Sequence, residues 1–341
     1  MQNKGENTME YIKKFLSVLL TVLTTVSMAF AGFNDSRSNE PFKVKDDNVL
    51  FNVTLLSDVH IDYRELFLQA SLRLGVTSLK KSQSPIDAVV ISGDLTNYGD
   101  KKSMNTMFKT VTECMPDGTQ AFITTGNHDI GHSSEVDLTA EQARQNFIEL
   151  HNKYLGTEIN KIYYSRVIDG YTFITLSDES DDSWDTPEIS DTQIAWLDSE
   201  LSKATAANDM KPVFVVCHWS INGTNGQQIV WENGAMNDCS DKVRAVLEKY
   251  SNKNVFYISG HVHTGVNNDE LHKYFDVYNV EEQNGIFYVN LPAFGSLNRY
   301  GVPWPGTGMQ MEVYENEVIF RPRNYLSNKW YGSFEYSVTL H

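Results

Sequence analysis

Apolar runs of five to eight residues recur along this chain, and each stops abruptly at small and polar residues. They are VLFNVTLL (49–56), IDAVVIS (86–92), TQAFITT (119–125), VFVVC (213–217) and VFYIS (255–259). Their length, their β-branched content and their near-continuous apolar character predict strands buried on both faces. Between them lie stretches with helical periodicity. Residues 64–81 place Leu66, Leu68, Leu72, Val76 and Leu79 roughly on one face, and 103–115 follow a similar rhythm. Helices are also predicted over 139–154, opened by a Thr139/Gln142 capping box, over 190–204, opened by Ser190 and Gln193, and over 241–250. Strand, helix, strand in alternation argues for parallel strands joined by right-handed crossovers. Residues 163–177 read as a hairpin turning at Asp169-Gly170. Beyond residue 271 come shorter alternating segments (IFYVNLP, GMQMEVYE, EVIFRPR, FEYSVTL), expected to be antiparallel. The whole predicts an α/β protein with two packed sheets and helices outside, in one domain over 49–341.

The first residues follow another logic. Lys13 and Lys14 precede an apolar run from Phe15 to Phe30 that ends in Ala29-Phe30-Ala31. A basic start, an apolar middle and an A-x-A site predict a signal peptide over 1–31, cleaved after Ala31. The run is shorter than the ~20 apolar residues of a bilayer span. A secreted or periplasmic (extracytoplasmic) protein is therefore expected, with no stable membrane insertion after cleavage. Residues 32–48 are polar and aperiodic, which predicts a flexible N-terminal arm. The formal charge is −16 and moves to −17 when residues 1–31 are removed. A surface of that sign repels polyanions, so nucleic acid is not the expected partner. Three cysteines form no disulfide framework: Cys217 sits in an apolar strand, while pairing of Cys114 with Cys239 is left open.

The residues at the strand ends carry the chemistry. Asp58 and His60 follow the first strand, Asp94 the second, and Asn127, His128 and Asp129 the third; His218 follows VFVVC, and His261 and His263 follow VFYISG. One histidine after a strand is ordinarily a loop residue. Five of the chain's nine, each placed at the carboxyl end of a strand where α/β sheets bind ligands, make a site. Imidazoles, carboxylates and one amide without thiolate suit Mn, Fe or Zn. There are more donors than one tetrahedral ion uses, which points to two divalent ions sharing a carboxylate and to hydrolysis of a phosphate ester.

Asp58-Val59-His60, Gly93-Asp94, Gly126-Asn127-His128-Asp129, His218 and Gly260-His261-Val262-His263 stand in an order that resembles the calcineurin-like metallophosphoesterase superfamily over roughly 50–323. The resemblance implies a four-layer α/β/β/α sandwich of two mixed β-sheets. It implies that Asp58, His60 and His263 hold one metal, that Asn127, His218 and His261 hold the other, and that Asp94 bridges them. His128 is then a catalytic group at the phosphate, aimed by Asp129, and the nucleophile is a bridging hydroxide. Purple acid phosphatases in the superfamily carry a metal-binding Tyr three residues after the bridging Asp; Asn97 stands there and Tyr98 falls one residue late, so that subgroup is rejected. Gly93-Asp94-Leu95-Thr96-x-x-Gly99 and the Gln193, Trp196, Leu197 pattern are most similar to the cyclic-nucleotide phosphodiesterase-like subgroup, although Trp219-Ser220 after His218 departs from it.

The leading expectation is thus an exported dinuclear-metal phosphoesterase acting on phosphodiester or phosphomonoester bonds of small substrates. A phospholipid or sphingolipid head-group phosphodiesterase is the alternative, and a non-catalytic metal-binding scaffold a weaker one. Outside the motifs, His132, His151 and His272 read as loop or helix-surface histidines, and the acidic run 178–185 as a solvated loop. Trp184, Trp231, Tyr300 and Trp304 are candidates for stacking on a substrate; Arg299 or Arg244 is a candidate clamp for a second phosphate.

Overall fold

Valine, isoleucine and phenylalanine dominate the segments that form the central strands, and alternate side chains along each strand enter different cores. The computed structural model describes residues 37–130, 136–181, 185–207, 211–266 and 277–341. Asn39–His341 forms one compact unit. The expected signal peptide lies outside the described residues. No described helix is long and apolar enough to cross a membrane.

Strands β1 (Phe51–Leu56), β2 (Ala88–Ser92) and β3 (Gln120–Thr124) are parallel neighbours. Helices α1 (Leu66–Ser78) and α2 (Lys101–Cys114) make the crossovers, and α3 (Ala140–Leu155) follows β3. Asp100 caps α2 through the Lys102 and Ser103 amides, and Thr139 and Gln142 form the expected capping box on α3. The second sheet opens with the hairpin β4 (Ser165–Ile168) and β5 (Tyr171–Thr175). Its turn is where expected, with Asp169 and Gly170 both at positive φ. Helix α4 (Asp191–Ala207) leads to β6 (Val213–Val216), and α5 (Ser240–Glu248) to β7 (Val255–Ser259), both parallel to β5. Then come β8 (Val280–Gln283) and β9 (Ile286–Asn290), which complete the order β4-β5-β6-β7-β9-β8. Finally β10 (Thr307–Val313) pairs antiparallel with β1, and β11 (Glu317–Asn324) with β10. Strands β12 (Lys329–Tyr331) and β13 (Tyr336–Thr339) both lie along β11.

Three apolar layers hold these elements. Phe51, Val53 and Leu55 of β1 meet Phe173, Phe214 and Phe256 between the sheets. Val89 and Ile91 face α1, α2 and α3 through Leu72, Phe108 and Phe147. On the far side Val215 and Tyr257 meet Leu197 and Leu247 of α4 and α5. This is the four-layer α/β/β/α sandwich, with mixed pairing in both sheets.

Three expectations need correction. Ile286–Asn290 runs parallel to β7, whereas an antiparallel strand was expected; alternation along a strand carries no information on its direction. Within the arm expected over 32–48, Phe42 and Val44 are buried, and Phe42 stands edge-on to Tyr325 and Trp330. One inserted aromatic ring seats a stretch that has no periodicity. His151 is buried rather than on the helix surface: its Nε2 lies 2.9 Å from the Tyr164 hydroxyl and its Nδ1 2.7 Å from Thr157 Oγ1. The three cysteines are all free.

His151 gives the fold a predicted acid sensitivity. Burial, aided by the Arg166 charge, pushes its pKa down from 6.5 to about 3. The unfolded chain therefore takes a proton below pH 6.5 that the folded chain refuses. This contribution to stability is complete above pH 6.5 and falls by about 1.4 kcal/mol per unit as pH drops from there toward 3. Urea midpoints at pH 7 and pH 5 are expected to differ less in His151→Gln than in the native chain. An equal difference in both would overturn this role.

Candidate metal centre

Both sheets point the carboxyl ends of their parallel strands at one place, and a polar seam ties those ends together. Ser57 Oγ donates to the Ser92 carbonyl at 2.8 Å, the Gly260 amide to the His218 carbonyl at 2.9 Å, and the Thr125 and Ser177 hydroxyls meet. The seam brings every sequence-predicted ligand with a titratable side chain into two overlapping groups. Asp58, His60, Asp94 and His263 form one, and Asp94, His218 and His261 the other, each with its donor atoms within 4.8 Å of one another. Asp94 belongs to both. Its Oδ2 lies 3.6 Å from His60 Nε2 and 3.2 Å from His218 Nε2, while His263 Nε2 lies 3.1 Å from Asp58 Oδ1.

The local backbone is unusual. Asp58, His60, Asp94, His261 and His263 all have φ between 49° and 69°. Residues other than glycine pay of order 1 kcal/mol or more for this left-handed conformation. It lets a chain leaving a strand turn at once and aim its side chain back across the strand end. Glycines clear the space: a Cβ on Gly126 would fall 2.3 Å from Asp94 Oδ1, and one on Gly260 1.9 Å from Ser57 Oγ.

Hydrogen bonds behind the ligands fix their rings. His218 Nδ1 donates to the Ser92 carbonyl at 2.7 Å, so its Nε2 is the atom left facing Asp94. His263 Nδ1 is 2.9 Å from Ser296 Oγ. Burial pulls His60 down to about 4 and His261 to about 3, leaving both neutral and able to ligate. Burial acts on His218 in the same sense, but Asp94 and Asp58 outweigh it and raise that ring to about 9. Burial would raise both carboxyls; His263 and His218 carry Asp58, and His218 and His128 carry Asp94, below the ordinary range.

The fit to metal is tested by the buried donor atoms. Asn127 Oδ1 and His261 Nε2 are buried without a hydrogen-bond partner, while Asp58 Oδ1 and His218 Nε2 have only the other candidate ligands, His263 and Asp94, within reach at 3.1 and 3.2 Å. Buried polar atoms are rarely left so, and a shared cation is the partner that suits oxygen and imidazole together. The donors fit a pair of divalent ions.

His128 and Asp129 do not work as a pair, contrary to expectation. Asp129 is buried and accepts from the Gly126, Leu95 and Thr96 amides and the Thr96 hydroxyl at 2.9–3.0 Å. Burial and the charge of Asp94 raise it to about 7. It is the keystone joining the second and third motif loops. The His128 ring is held instead by the Asn97 carbonyl, 2.9 Å from Nδ1. The His128 amide donates to Asp94 Oδ1 at 3.0 Å, and its ring stands edge-on to His60 with centroids 4.8 Å apart.

The loop after β6 borders the site as its position suggests. Trp231 packs on the His261 ring at 4.8 Å, and the Arg299 guanidinium lies 4.9 Å over the same indole. Arg244 is committed elsewhere, to the Asn222 carbonyl and Gln283. Tyr98 stacks with Arg64 at 5.3 Å. Asp178, in the acidic run, is buried and accepts from the Ser180 and Glu188 amides, and burial raises it to about 6. It folds the loop rather than facing water. The Tyr300 carbonyl accepts from the Gly265 amide, and the Trp304 carbonyl from the Thr307 hydroxyl. His132, Trp184 and His272 lie outside the described residues. Sequence reasoning missed Asn97, Ser92 and Ser296, which act through a carbonyl or one hydroxyl. It also missed that His151 shares a helical face with Phe147 and Leu150, a spacing that was there to read.

A two-sheet sandwich with a carboxylate shared between two His-rich groups defines a metal-dependent phosphoesterase. The family model for calcineurin-like phosphoesterases matches residues 51–265, most of the chain, and the protein belongs to that family. Among solved structures, the purple acid phosphatase PPD1 from yellow lupin (Lupinus luteus) seeds is similar in fold, with 14% identity and a TM-score of 0.53. The match covers 85% of this chain and 53% of that one, so the chain spans about half the plant enzyme's length. The phosphopantetheinyl hydrolase of Mycobacterium tuberculosis matches at 12% identity and a TM-score of 0.42, over 72% of this chain and 91% of that one. Curated protein sequences give no match.

Proposed function

We propose that this protein is an exported hydrolase of small phosphate esters, acting with two divalent ions. The carrying observation is the pair of donor groups that share the carboxylate of Asp94, with Asn127 Oδ1 and His261 Nε2 buried and without a hydrogen-bond partner. Asp58, His60 and His263 would hold one ion, Asn127, His218 and His261 the other, with Asp94 between them. Bound there, the ions would neutralise phosphoryl oxygens and acidify water at neutral pH. The chain's own residues do the rest. The strand-end turns and the hydrogen bonds behind His218 and His263 hold the ligands rigid, and Trp231 walls the second group. His128, with Nδ1–H given to the Asn97 carbonyl, has Nε2 as its remaining proton-carrying position. When protonated it gives that proton to the leaving alcohol oxygen as water adds across the P–O bond. Export rests on the leader pattern of residues 13–31.

Metal analysis and hydrolysis of bis-p-nitrophenyl phosphate and p-nitrophenyl phosphate, with Mn, Fe or Zn, test the reading. Two ions per chain and turnover of one ester are expected. Two ions with no turnover under any metal would leave a binding scaffold. For export, the amino terminus of the protein recovered outside the cytoplasm is expected to be Gly32.

A further inference from the structure

Large apolar side chains left in water are not spread evenly over this protein. Among the described residues eight are exposed, and five of them crowd two segments that flank one side of the metal centre. Tyr63 (37%), Leu66 (77%), Phe67 (67%) and Leu74 (64%) lie at and along α1, which begins six residues after His60. Leu297 (66%) lies in the loop whose Ser296 holds His263 and whose Arg299 amide donates to the His263 carbonyl at 2.8 Å. The two segments touch: α1 packs on that loop so closely that a Cβ on Gly75 would fall 2.5 Å from the Phe294 ring.

The exposed residues of α1 form a stripe. Its buried face is Ser71, Leu72, Gly75 and Val76. Leu66, Ala70 and Leu74 recur every four residues on the opposite side, with Phe67 beside them. At about 1.5 Å per residue the stripe runs ~12 Å away from the metal centre. An apolar stripe facing solvent is not what a helix packed on a sheet requires.

The surroundings say what covers it. Residues 62–115 carry seven Lys and Arg against six Asp and Glu, two of these being the buried Asp62, which pairs with Arg64, and Asp94, in a chain whose formal charge is −16. Lys102 Nζ sits 3.8 Å over the Tyr63 ring, and the Arg64 guanidinium lies 5.8 Å from it. Apolar side chains fringed by aromatic rings and basic groups are the pattern that seats a helix in the head-group region of an anionic bilayer.

We propose that the α1 face and Leu297 dock the enzyme on an anionic lipid surface, so that its substrates are phosphate esters displayed there by lipids. This rests on the hydrolytic reading above and narrows it to a substrate class. Docking on this side would turn the Asp58, His60 and His263 side of the site toward the head groups.

The test uses the full chain and vesicles of phosphatidylglycerol in phosphatidylcholine. Co-sedimentation is expected to be strong, salt-sensitive and at least about tenfold weaker with pure phosphatidylcholine. The double variant Leu66→Gln/Phe67→Gln is expected to lose at least about tenfold in vesicle affinity. Val167→Gln, at an exposed apolar residue of β4, serves as the control. The same preparations are assayed on hexadecyl p-nitrophenyl phosphate in vesicles and methyl p-nitrophenyl phosphate in solution. The native ratio of kcat/KM should favour the vesicle ester and fall toward one in the double variant. Three results would overturn the proposal: no vesicle binding, binding that survives the double variant (an attachment through residues 1–31), or equal loss in Val167→Gln. A native dimer that the double variant dissociates would overturn it too, by assigning the face to a second copy of the chain. Metal content and solution-ester turnover are read separately, so a failed docking surface is told apart from a failed hydrolase.

Discussion

In Asp94→Ala both metal ions are expected to leave together, with kcat/KM falling by at least about 10³-fold, some 4 kcal/mol of transition-state stabilisation. The reason is geometric. Asp94 is the one residue common to both donor groups, with the first group's His60 and the second group's His218 on the same carboxylate oxygen. Its other oxygen receives the His128 amide, so the substitution also loosens the third motif loop. His263→Ala is the comparison, because His263 belongs to the first group alone. It should deplete one ion and leave the other largely in place. Metal analysis of the two variants beside the native protein decides. A full-occupancy ion retained in Asp94→Ala would show that the carboxylate does not bridge.

His128→Ala should behave in the opposite way, keeping both ions and losing about 10²–10⁴-fold in turnover, the range for removal of a positioned acid or base. His128 stands outside both donor groups, and its Nδ1 is bound to the Asn97 carbonyl. If it protonates the leaving oxygen, the loss must grow as the leaving group becomes more basic. Phenyl phosphate esters should therefore suffer more than p-nitrophenyl esters. Equal losses on both would mean that His128 only binds the phosphoryl group. Loss of metal would make it a ligand.

Much of this site was legible in the sequence because strand ends are marked twice. An apolar run says where a strand stops, and a His or Asp within a few residues says what is presented there. Asp58, His60, Asp94, His218, His261 and His263 all carry both marks, and all converge. The role of Asp129 carried only one. A carboxylate next to a catalytic histidine reads as its partner, but Asp129 is drawn to the amides of Leu95 and Thr96, more than thirty residues earlier in the chain. What holds Nδ1 of His128 is a backbone carbonyl, which every residue possesses and no sequence displays. The direction of Ile286–Asn290 was hidden for a similar reason, since the side-chain pattern of a strand reads the same whichever way its neighbour runs. The four-layer arrangement followed from strand and helix alternation, while the seat of Phe42 against Trp330 needed the third dimension.

The left-handed turns at Asp58, His60, Asp94, His261 and His263 have a consequence for how such a chain diverges. At each of these positions glycine would relax the backbone, and asparagine would tolerate it better than histidine does. Selection for folding alone therefore pulls every one of these positions toward glycine, which offers no side chain to a metal. A descendant freed from catalysis should drift quickly to Gly and Asn at these five places while its strands stay intact. Keeping five non-glycine residues in this conformation is then the trace that continued use of the proposed metal centre would leave.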